Sequence, residues 1–443
     1  MTINNNMTTV YLCEKPSQAG DIARVLGIAG REDGYIKLKS GDAVTWAFGH
    51  LLRQLEPDDY KDEWKKWDAS VLPMVPEVWR VSAYKDKTKQ LKIIAGLLKS
   101  ANQVVIASDA GREGEVIARE ILDFCKYKGA IKRLWVSSLE ESDVRRELNN
   151  LRPNSFSVPL YEAGLARSHA DWLYGMNLTR GVTLTAGLRD VFPVGRVKVP
   201  TIAILVHREK EIRNFRAQDY YELEASVKTK SGHTLTLYHA PVEEHRITDR
   251  AAAEKLKAQA EHARGPLSVK KRVGLTKAPP LPFSLTTLQG AAGRAFGLPI
   301  AKTLEIAQAL YETHKVITYP RTGCQYLASS QKESLPKVLS ALQGGPHAKA
   351  VGQLLKLGPL YRDSVFNDAK LTDHHAIVPT KKVPTGLSEM EAKVYGLVVL
   401  RTLQALGPDQ VYDETKIAMD ANGVPFTTSG QVVTRPGWTA ISL

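Results

Sequence analysis

In this 443-residue chain, two segments restrict the possible folds more than any other feature of the sequence. In each of them a short apolar stretch is followed by an amphipathic stretch. The first is "TTVYLCEKPSQAGDIARVLG" and the second is "NQVVIASDAGREGEVIAREILDF". In both, a β-branched run of strand length is followed by apolar residues spaced three and four apart, which is the period of a helix. A strand followed by a helix, used twice, predicts a parallel α/β sheet.

Acidic side chains follow both predicted strands. Glu14 comes just after the first strand, and Asp109 and Glu113 come after the second. Because the carboxyl ends of parallel strands line the crevice where ligands bind, the three carboxylates are expected to converge there. Carboxylate oxygens, with phosphate and water, are what Mg²⁺ prefers, so a magnesium site is one interpretation. An equally good interpretation is that Asp109 caps a helix, and that Glu113 and Glu115 lie in its first turn because acidic side chains are stabilised by the positive end of the helix dipole.

The middle of the chain changes character twice. The segment about 45–80, between the two strand–helix pairs, is aromatic, charged and rich in turns, and we interpret it as an insertion. Further on, "PLYEAGLARSHADWLYGMNLTR" and "KVPTIAILVHREKEIRNF" have a helical period. They predict two helices, the second beginning at Pro200, since proline is favoured in the first turn.

Two β segments flank a helical block of roughly 283–406. "DYYELEASVKTKSGHTLTLYHA" predicts a strand, a Ser-Gly turn and another strand, and "TKIAMDANGVPFTTSGQVV" predicts a hairpin that turns at Asn422-Gly423. Inside the block, "SEME" at 388–391 has the pattern of a helix capping box. A discontinuous β domain with a helical domain inserted into it is the simplest arrangement.

The amino-acid composition indicates which kinds of binding partner and which cellular compartment to expect. Lysine and arginine outnumber aspartate and glutamate by 60 to 47, a net charge of +13, which favours a polyanionic partner, although a merely basic soluble protein fits equally well. The three cysteines, Cys13, Cys125 and Cys324, form no CxxC pair, so neither a disulfide framework nor a cysteine zinc site is expected. Neither a signal peptide nor an apolar run of about 18 residues is found, so we expect a cytoplasmic protein without a membrane partner.

The stretch "KVITYPRTGCQYL" contains a candidate nucleophile, Tyr319, two residues before Arg321. A phenol is mostly protonated near neutral pH and needs nearby cations to become a good nucleophile. In an extended chain Arg321 would lie on the same side as Tyr319, with a guanidinium group that matches phosphate. From the residues alone, however, a half-buried strand tyrosine is the better interpretation, because β-rich contexts attract tyrosine.

Seven motifs in order along the chain resemble the type IA DNA topoisomerases, most closely the topoisomerase III branch. They cover nearly the whole sequence, and "CEKPSQA" and "SDAGREGEVIAREI" resemble the Toprim domain of that family. The others are "AFGHLL", "LARSHADWLYGMNLTR", "GRVKVPTIAILVHREKEI", "LPFSLTTLQ" and "LTDHHAIVPT".

The resemblance implies a fold with α/β, α and β domains. It implies a Toprim parallel α/β sheet over 7–157, the first part of a helical fourth domain over 158–216, a discontinuous β arch over 217–282 and 407–438, and a helical domain with the tyrosine over 283–406. In the family these domains form a toroid. Family members normally continue through a C-terminal part of the fourth domain, so the remainder of that domain is expected to be absent and the toroid incomplete.

The resemblance also implies catalytic roles. Tyr319 would attack a phosphodiester of single-stranded DNA and hold the 5′ phosphate, with Arg321 supporting the charge. Glu14 would act in acid–base chemistry and Lys15 would hold the scissile phosphate, although a lysine at a helix start is otherwise a surface residue. His374, near the tyrosine in the family, would contact or protonate the phosphate, whereas a histidine pair on a polar loop is otherwise solvated or binds metal adventitiously.

The same resemblance assigns Mg²⁺ to the run that contains Asp109 and Glu113, and Glu14, expected to converge with them, completes the predicted set of metal ligands. Two positions depart from the family pattern. Gly111 replaces the middle aspartate of the metal-binding run, and Gly323 replaces the usual acidic residue two positions after the arginine. Both departures remove a carboxylate, so they are expected to reshape the metal site and the support of the tyrosine.

Five residues match DNA-contacting positions: Arg167, Asp171, Arg196, Lys198 and Gln289. Arg167 and Asp171 are four apart on a predicted helix, so they can either pair locally or present an oriented arginine to the DNA backbone. Lys198 stands where glutamine is usual, which exchanges a hydrogen-bonded contact for a simple phosphate charge. Gln289 ends the "LPFSLTTLQ" motif.

The implied function is Mg²⁺-dependent cleavage of one DNA strand, strand passage and resealing, which relaxes negative supercoils or decatenates DNA. The sequence has no GxxxxGK[ST], so no ATP requirement is expected. A monomer that binds chiefly single strands, in a salt-dependent way, is expected. The alternatives are a remnant that binds single-stranded DNA without productive strand passage, and a Toprim nuclease or primase in which Tyr319 would be dispensable.

Overall fold

The computed structural model of the chain describes residues 9–136, 139, 141–187, 190–239, 246–372 and 374–443. The chain divides into two compact units. Unit 1 contains Met1–Lys210 and Lys370–His375, and unit 2 contains Glu211–Ala369 and Ala376–Leu443. A six-residue segment from late in the chain therefore belongs with the N-terminal unit.

Unit 1 is built on a mixed β-sheet. The strands of unit 1 are β1 (Thr9–Cys13), β2 (Ile28–Glu32), β3 (Tyr35–Leu38), β4 (Ala43–Trp46), β5 (Leu52–Gln54), β6 (Val81–Ala83), β7 (Gln103–Ile106), β8 (Ala130–Arg133) and β9 (Arg152–Pro153). Strands β5 and β6 pair with each other in a separate two-stranded sheet. The helices of unit 1 are α1 (Pro16–Leu26), α2 (Pro57–Tyr60), α3 (Thr88–Ser100), α4 (Arg112–Phe124), α5 (Glu141–Leu148), α6 (Val158–Ala186) and, at the boundary, α7 (Lys198–Arg213). Within the described ranges the main sheet has the order β2-β3-β4-β1-β7-β8-β9. Strands β4, β1, β7 and β8 are parallel, which confirms the predicted α/β sheet, and the outer strands are antiparallel.

Helices cover both faces of this sheet. Successive side chains of a strand point to opposite faces, so Val10 and Leu12 of β1 pack with α3 and α4, whereas Cys13 packs with α1 and α5. Each fully buried aliphatic side chain contributes about 1.5–3 kcal/mol relative to an exposed one. The sheet is therefore buried on both faces, and the residues that follow β1 and β7 lie at its carboxyl edge.

The predicted insertion begins slightly later than the sequence indicates. Trp46 completes β4 in the main sheet, so the inserted segment starts after it and runs to β6. The segment contains an aromatic cluster in which Trp64 and Met74 pack against Trp172 of α6. The indole Nε1 of Trp172 also donates a hydrogen bond to the carbonyl of Leu55, 2.8 Å away. The insertion is thereby fastened to α6.

The two predicted helices of the middle region are α6 and α7. Helix α6 ends at Ala186 and is followed by Gly187, whose φ of 63° lies in the left-handed region that glycine adopts without strain. Helix α7 begins at Lys198 rather than at Pro200. Proline is tolerated there because the first-turn N–H groups have no acceptor within the helix. The structure describes every residue of α7, and none of them is buried.

Unit 2 combines an antiparallel sheet with a helical layer. Its strands are β10 (Glu224–Lys228), β11 (Thr234–His239), β12 (Ser268–Lys277), β13 (Gln410–Ala421) and β14 (Val424–Arg435). Its helices are α8 (Arg250–Ala260), α9 (Leu285–Phe296), α10 (Ile300–Glu312), α11 (Gln331–Gln343), α12 (Ala348–Leu357) and α13 (Glu389–Ala405). The sheet has the order β10-β11-β14-β13-β12 in the described part of the chain. Across all described residues, no helix has the length and apolar character of a membrane span.

Two features of unit 2 that the local sequence predicts, a hairpin turn and a helix capping box, are present in the structure. The hairpin β13–β14 turns at Asn422 and Gly423, whose φ values of 59° and 88° are those of a type I′ turn, as predicted. The capping box at the start of α13 is also confirmed, since the Ser388 N–H donates to Glu391 Oε2 (2.8 Å) and the Glu391 N–H donates to Ser388 Oγ (3.3 Å).

Candidate active site

Four predicted site residues lie together at the carboxyl edge of the sheet in unit 1. Glu14 and Asp109 follow β1 and β7, which are adjacent parallel strands. The Lys15 ammonium lies 2.6 Å from Asp109 Oδ2 and 3.7 Å from Glu14 Oε1. His374 Nε2 lies 3.3 Å from Asp109 Oδ2. The association of His374 with the tyrosine, which the resemblance implies, stays a prediction.

The two carboxyl groups have opposite pKa shifts. Burial alone would raise the pKa of Asp109, but the hydrogen bond from His374 and the charge of Lys15 hold that pKa well below its usual range. The pKa of Glu14 is raised, first by burial and then by the negative charge of Asp109, against a smaller opposing effect of Lys15. One carboxylate therefore stays ionised while its neighbour takes up a proton more readily, which is the arrangement that acid–base chemistry beside a fixed anion requires.

Glu14→Gln is expected to raise the free energy of unfolding at about pH 7 by about 1 kcal/mol, because it removes a carboxyl group whose ionised form is disfavoured by burial. Gains of this size are common when a destabilising group of a functional site is replaced. A group whose pKa is raised on folding stabilises the protein below its unfolded pKa, and this stabilisation is lost as the pH rises through the folded pKa. The gain of the variant should therefore shrink towards about pH 4.

Urea unfolding at a series of pH values measures this effect. Glu113→Gln is the matched control, because the side chain of Glu113 is 79% exposed and its neutralisation should leave stability unchanged. A Glu14→Gln protein no more stable than the wild type at neutral pH would contradict the assignment of a strained carboxyl group.

The predicted three-carboxylate magnesium site is only partly assembled. Glu113 lies beside His50, with its Oε1 3.9 Å from His50 Nε2. Within the described ranges, no group of three or more His, Cys, Asp or Glu side chains is arranged to hold a metal. Glu14 and Asp109 nevertheless converge on one cation, the Lys15 ammonium. Since Mg²⁺ is commonly held by one or two carboxylates, with phosphate and water completing its coordination, these two carboxylates fit it, and Glu113 stays a predicted ligand.

The start of α4 argues against the capping interpretation of Asp109. The N-cap residue is Gly111, and the Asp109 side chain binds Lys15 rather than the helix N-terminus. Gly111 has an extended backbone (φ −160°) that any residue adopts, so the acidic residue usual in the family would fit without backbone strain. Gly114 is more constrained, since a Cβ there would collide with the Asp109 carbonyl oxygen. Glycine at this position lets α4 approach the site.

A buried arginine that the sequence analysis missed supports the loop after β7. Arg133 is fully buried and donates hydrogen bonds to the carbonyl oxygens of Ser108 (3.0 Å) and Asp109 (2.7 Å). It also pairs with the buried Glu115, whose other oxygen accepts from Arg119 Nε at 2.9 Å. The only sequence signal was the four-residue spacing of Glu115 and Arg119 on a helix. The network holds the backbone that carries the Asp109 carboxylate.

Tyr319 lies in unit 2, in the irregular segment between α10 and α11, and is half-buried. The preceding residue anchors it, because the Thr318 N–H donates to the Val378 carbonyl (2.9 Å) and Thr318 Oγ1 donates to the Ala376 carbonyl (3.1 Å). The Tyr319 ring packs edge-on against Tyr311, with ring centroids 5.4 Å apart and planes at 78°. The backbone around the tyrosine is therefore held by contacts on neighbouring segments.

The residues after Tyr319 alternate in burial, as in an extended chain. Pro320 and Thr322 are buried, whereas Arg321 and Gly323 are exposed. This alternation agrees with the expectation that Arg321 lies on the same side of the chain as Tyr319. A Cβ on Gly323 would meet nothing within 4 Å, so the acidic residue usual in the family would fit there.

Three of the predicted DNA-contacting residues form one exposed cluster in unit 1. Arg196 binds Asp171 through two bonds, Nε to Oδ1 (2.6 Å) and an Nη to Oδ2 (3.3 Å). Arg167 Nε lies 3.8 Å from the same carboxylate. The hydrogen bond from Arg196 lowers the pKa of Asp171. Asp171 thus orients two arginines, of which Arg196 is the closer partner, and Lys198 is exposed at the start of α7.

Gln289 belongs to α9 of unit 2 and has a structural contact of its own. Its amide Nε2 donates to the carbonyl oxygen of Ile300, 3.1 Å away, at the start of α10. The side chain is half-buried. It therefore connects two helices, and its DNA contact stays a prediction.

Profiles of two protein families match the chain. A family described as DNA topoisomerase matches residues 155–442, and the Toprim domain matches residues 9–139. Among curated proteins, DNA topoisomerase 3 of Vibrio cholerae is 35% identical over 98% of this chain and 70% of its own length. DNA topoisomerase 3 of Bacillus subtilis is 36% identical over 98% of this chain but only 59% of its own length. The chain thus spans well under the full length of these relatives.

A solved structure has a similar fold. The full-length topoisomerase I from Thermotoga maritima superposes with a TM-score of 0.63, covering 98% of this chain and 67% of that one. The sequence identity is 22%, so this likeness concerns the fold alone.

Proposed function

We propose that this chain, which belongs to the type IA DNA topoisomerases and is topoisomerase III-like, cleaves one DNA strand, lets another strand pass and reseals the break without ATP. Members of this family are isomerases. One structural observation supports the proposal most directly: at the carboxyl edge of a Toprim sheet, Lys15 contacts both Glu14 and Asp109, and His374 contacts Asp109 from a distant part of the chain. That edge is where open α/β sheets bind their ligands.

Tyr319 supplies the nucleophile in this proposal. The phenol gives up its proton to water, a bond forms between Oη and the phosphorus of a phosphodiester, the bond from phosphorus to the 3′ oxygen breaks, and the 5′ phosphate stays on the tyrosine. The 3′ oxygen leaves as a hydroxyl group after taking up a proton. Resealing reverses these steps, and the ester conserves the energy of the broken bond, so no ATP is consumed. Arg321, exposed two residues away, favours the phenolate and the charge that develops on phosphate.

Unit 1 supplies the acid–base group and the cations. The raised pKa of Glu14 suits it to give a proton to the leaving 3′ oxygen and to take it back on resealing. Lys15 and His374 would contact the phosphate as donors. Asp109, kept ionised by these same neighbours, would hold Mg²⁺, and Glu14 would join it as a ligand once it has given up its proton. When bound, the ion would neutralise charge on the reacting phosphate.

Plasmid relaxation tests the complete function. Negatively supercoiled DNA with Mg²⁺ and without ATP should yield a ladder of relaxed topoisomers, and linked DNA circles should separate if the chain also decatenates. A plasmid that stays supercoiled, although labelled single strands become covalently attached, would show that strand passage fails.

A second function has specific support. Gly111 and Gly323 stand at two positions that are usually acidic in the family. Both departures favour a protein that binds single-stranded DNA without productive strand passage. Binding without any covalent attachment would be the result that selects it. The toroidal arrangement, a monomeric state and the cytoplasmic location stay predictions.

Arg196→Ala is expected to weaken binding of single-stranded DNA evenly across sequences. If Arg196 contacts one phosphate, its loss should reduce the slope of log K against log salt by about 0.7. Fluorescence anisotropy at several salt concentrations measures the slope. Arg145→Ala is the matched control, since Arg145 is an exposed arginine in an ion pair on α5 and is not predicted to contact DNA. Equal slopes for Arg196→Ala and the wild type would contradict the proposed contact.

A further inference from the structure

Gln18, on the first turn of α1, links the two carboxylate residues of unit 1 through one amide group. It is buried, with 3% exposure. Its Oε1 accepts a hydrogen bond from the Glu14 backbone N–H, and its Nε2 donates to Asp109 Oδ1, both at 3.0 Å. A buried glutamine needs partners for both ends of its amide, and these two bonds satisfy both ends.

The two oxygens of Asp109 consequently have different partners. Oδ1 accepts from Gln18, while Oδ2 faces Lys15 and His374. Rotation of the carboxylate would break bonds on both sides, so its orientation is set. The same amide holds the backbone of Glu14, and it therefore connects the chain just after β1 to the chain just after β7.

We infer that Gln18 is a positioning residue for the proposed cleavage reaction: its amide orients Asp109 and Glu14 so that both carboxylates face one cation. This inference rests on the proposed function. A neutral amide suits the role, because it donates to Asp109 without adding a charge to a carboxylate that already pairs with Lys15. A glutamate there would repel Asp109, and a methionine would keep the shape but lose both hydrogen bonds.

Gln18→Met and Gln18→Glu test the role of the amide in catalysis. Removal of a group that orients a ligand commonly lowers activity or metal affinity by about 10- to 100-fold. We expect Gln18→Met to lower the single-turnover rate of covalent attachment, at saturating single-stranded DNA, by at least about tenfold, with DNA affinity within about twofold of the wild type. Gln18→Glu keeps the hydrogen bond from the Glu14 N–H, and its rate of covalent attachment should be lowered at least as much. If Gln18→Met does not fold, Gln18→Glu is compared with the wild type instead.

Gln90→Met is the matched control. Gln90 is also a buried glutamine of unit 1, with 5% exposure, and its amide donates to the carbonyl oxygens of Gly34 (3.0 Å) and Trp46 (2.7 Å). Its loss should lower the melting temperature much as Gln18→Met does, without slowing attachment at saturating DNA. A rate equal to the wild type in Gln18→Met would overturn the inference and leave Gln18 a purely structural residue.

A second measurement separates this inference from the proposed function. Mn²⁺ binding to the DNA-free protein, followed by electron paramagnetic resonance, should be weaker by at least about tenfold in Gln18→Met and unchanged in Gln90→Met. A wild type that forms no covalent attachment would refute the proposed function, and the Mn²⁺ titration would then decide alone. Weaker binding in Gln18→Met would uphold the role of Gln18, whereas equal binding, or no binding by the wild type, would overturn it.

Discussion

Tyr319→Phe is expected to abolish covalent attachment to single-stranded DNA, lowering the yield by at least about 10⁴-fold, because the ester bond requires the phenolic oxygen. The fold should be almost unaffected. Phenylalanine keeps the ring that packs edge-on against Tyr311, so the free energy of unfolding should change by no more than about 1 kcal/mol. The variant should still bind single strands, since the exposed arginine cluster at Asp171 is in unit 1.

The measurement is a trapping assay on a 3′-labelled single strand, since the fragment that stays on the protein carries the 5′ phosphate. Protein and DNA are mixed with Mg²⁺ and denatured rapidly, and the labelled protein band is quantified. Tyr311→Phe is the matched control, because it removes the hydroxyl of the neighbouring ring and keeps both rings in place. It should retain the band.

Either contrary result would be informative. A band that survives in Tyr319→Phe would remove Tyr319 from the mechanism and favour a Toprim nuclease or primase. The absence of a band in the wild type, despite salt-sensitive DNA binding, would favour the single-stranded DNA-binding alternative.

Arg133→Met is expected to lower the free energy of unfolding by about 3–5 kcal/mol. The side chains of Arg133 and Glu115 have 0% exposure, so the variant leaves Glu115 as a buried carboxylate with Arg119 as its remaining paired cation. It also removes the donor to the Ser108 and Asp109 carbonyl oxygens. Buried polar groups without partners are costly because water cannot replace the lost hydrogen bonds.

Urea unfolding measures this loss. Arg145→Met is the control, since its ion pair with Glu141 on α5 is exposed and should contribute less than about 0.5 kcal/mol. Adding Glu115→Gln to Arg133→Met should recover part of the stability by removing the buried charge. A loss below about 1 kcal/mol in Arg133→Met would show that water or a rearranged neighbour satisfies these groups.

Features that depend on neighbours along the chain can be predicted from the amino-acid sequence. The two strand–helix pairs follow from the periods of apolar residues, and the turn at Asn422-Gly423 follows from the positive φ that these residues tolerate. The sequence also placed Glu14 and Asp109 at strand ends, and therefore at one edge of the sheet. The start of α7 was misjudged by two residues, because a first-turn proline does not need to be the first residue of a helix.

Contacts between side chains that are distant in the sequence become visible only in the folded protein. His374 contacts Asp109 from a segment far along the chain, and Gln18 joins the ends of two strands through one amide. The burial of Arg133 could not be predicted from the sequence either, because arginine is usually exposed and is buried only where hydrogen-bond acceptors surround it. Local periodicity carries no information on such contacts. They arise when two faces of a sheet are covered by helices, and that packing removes water from charges that lie far apart in the sequence.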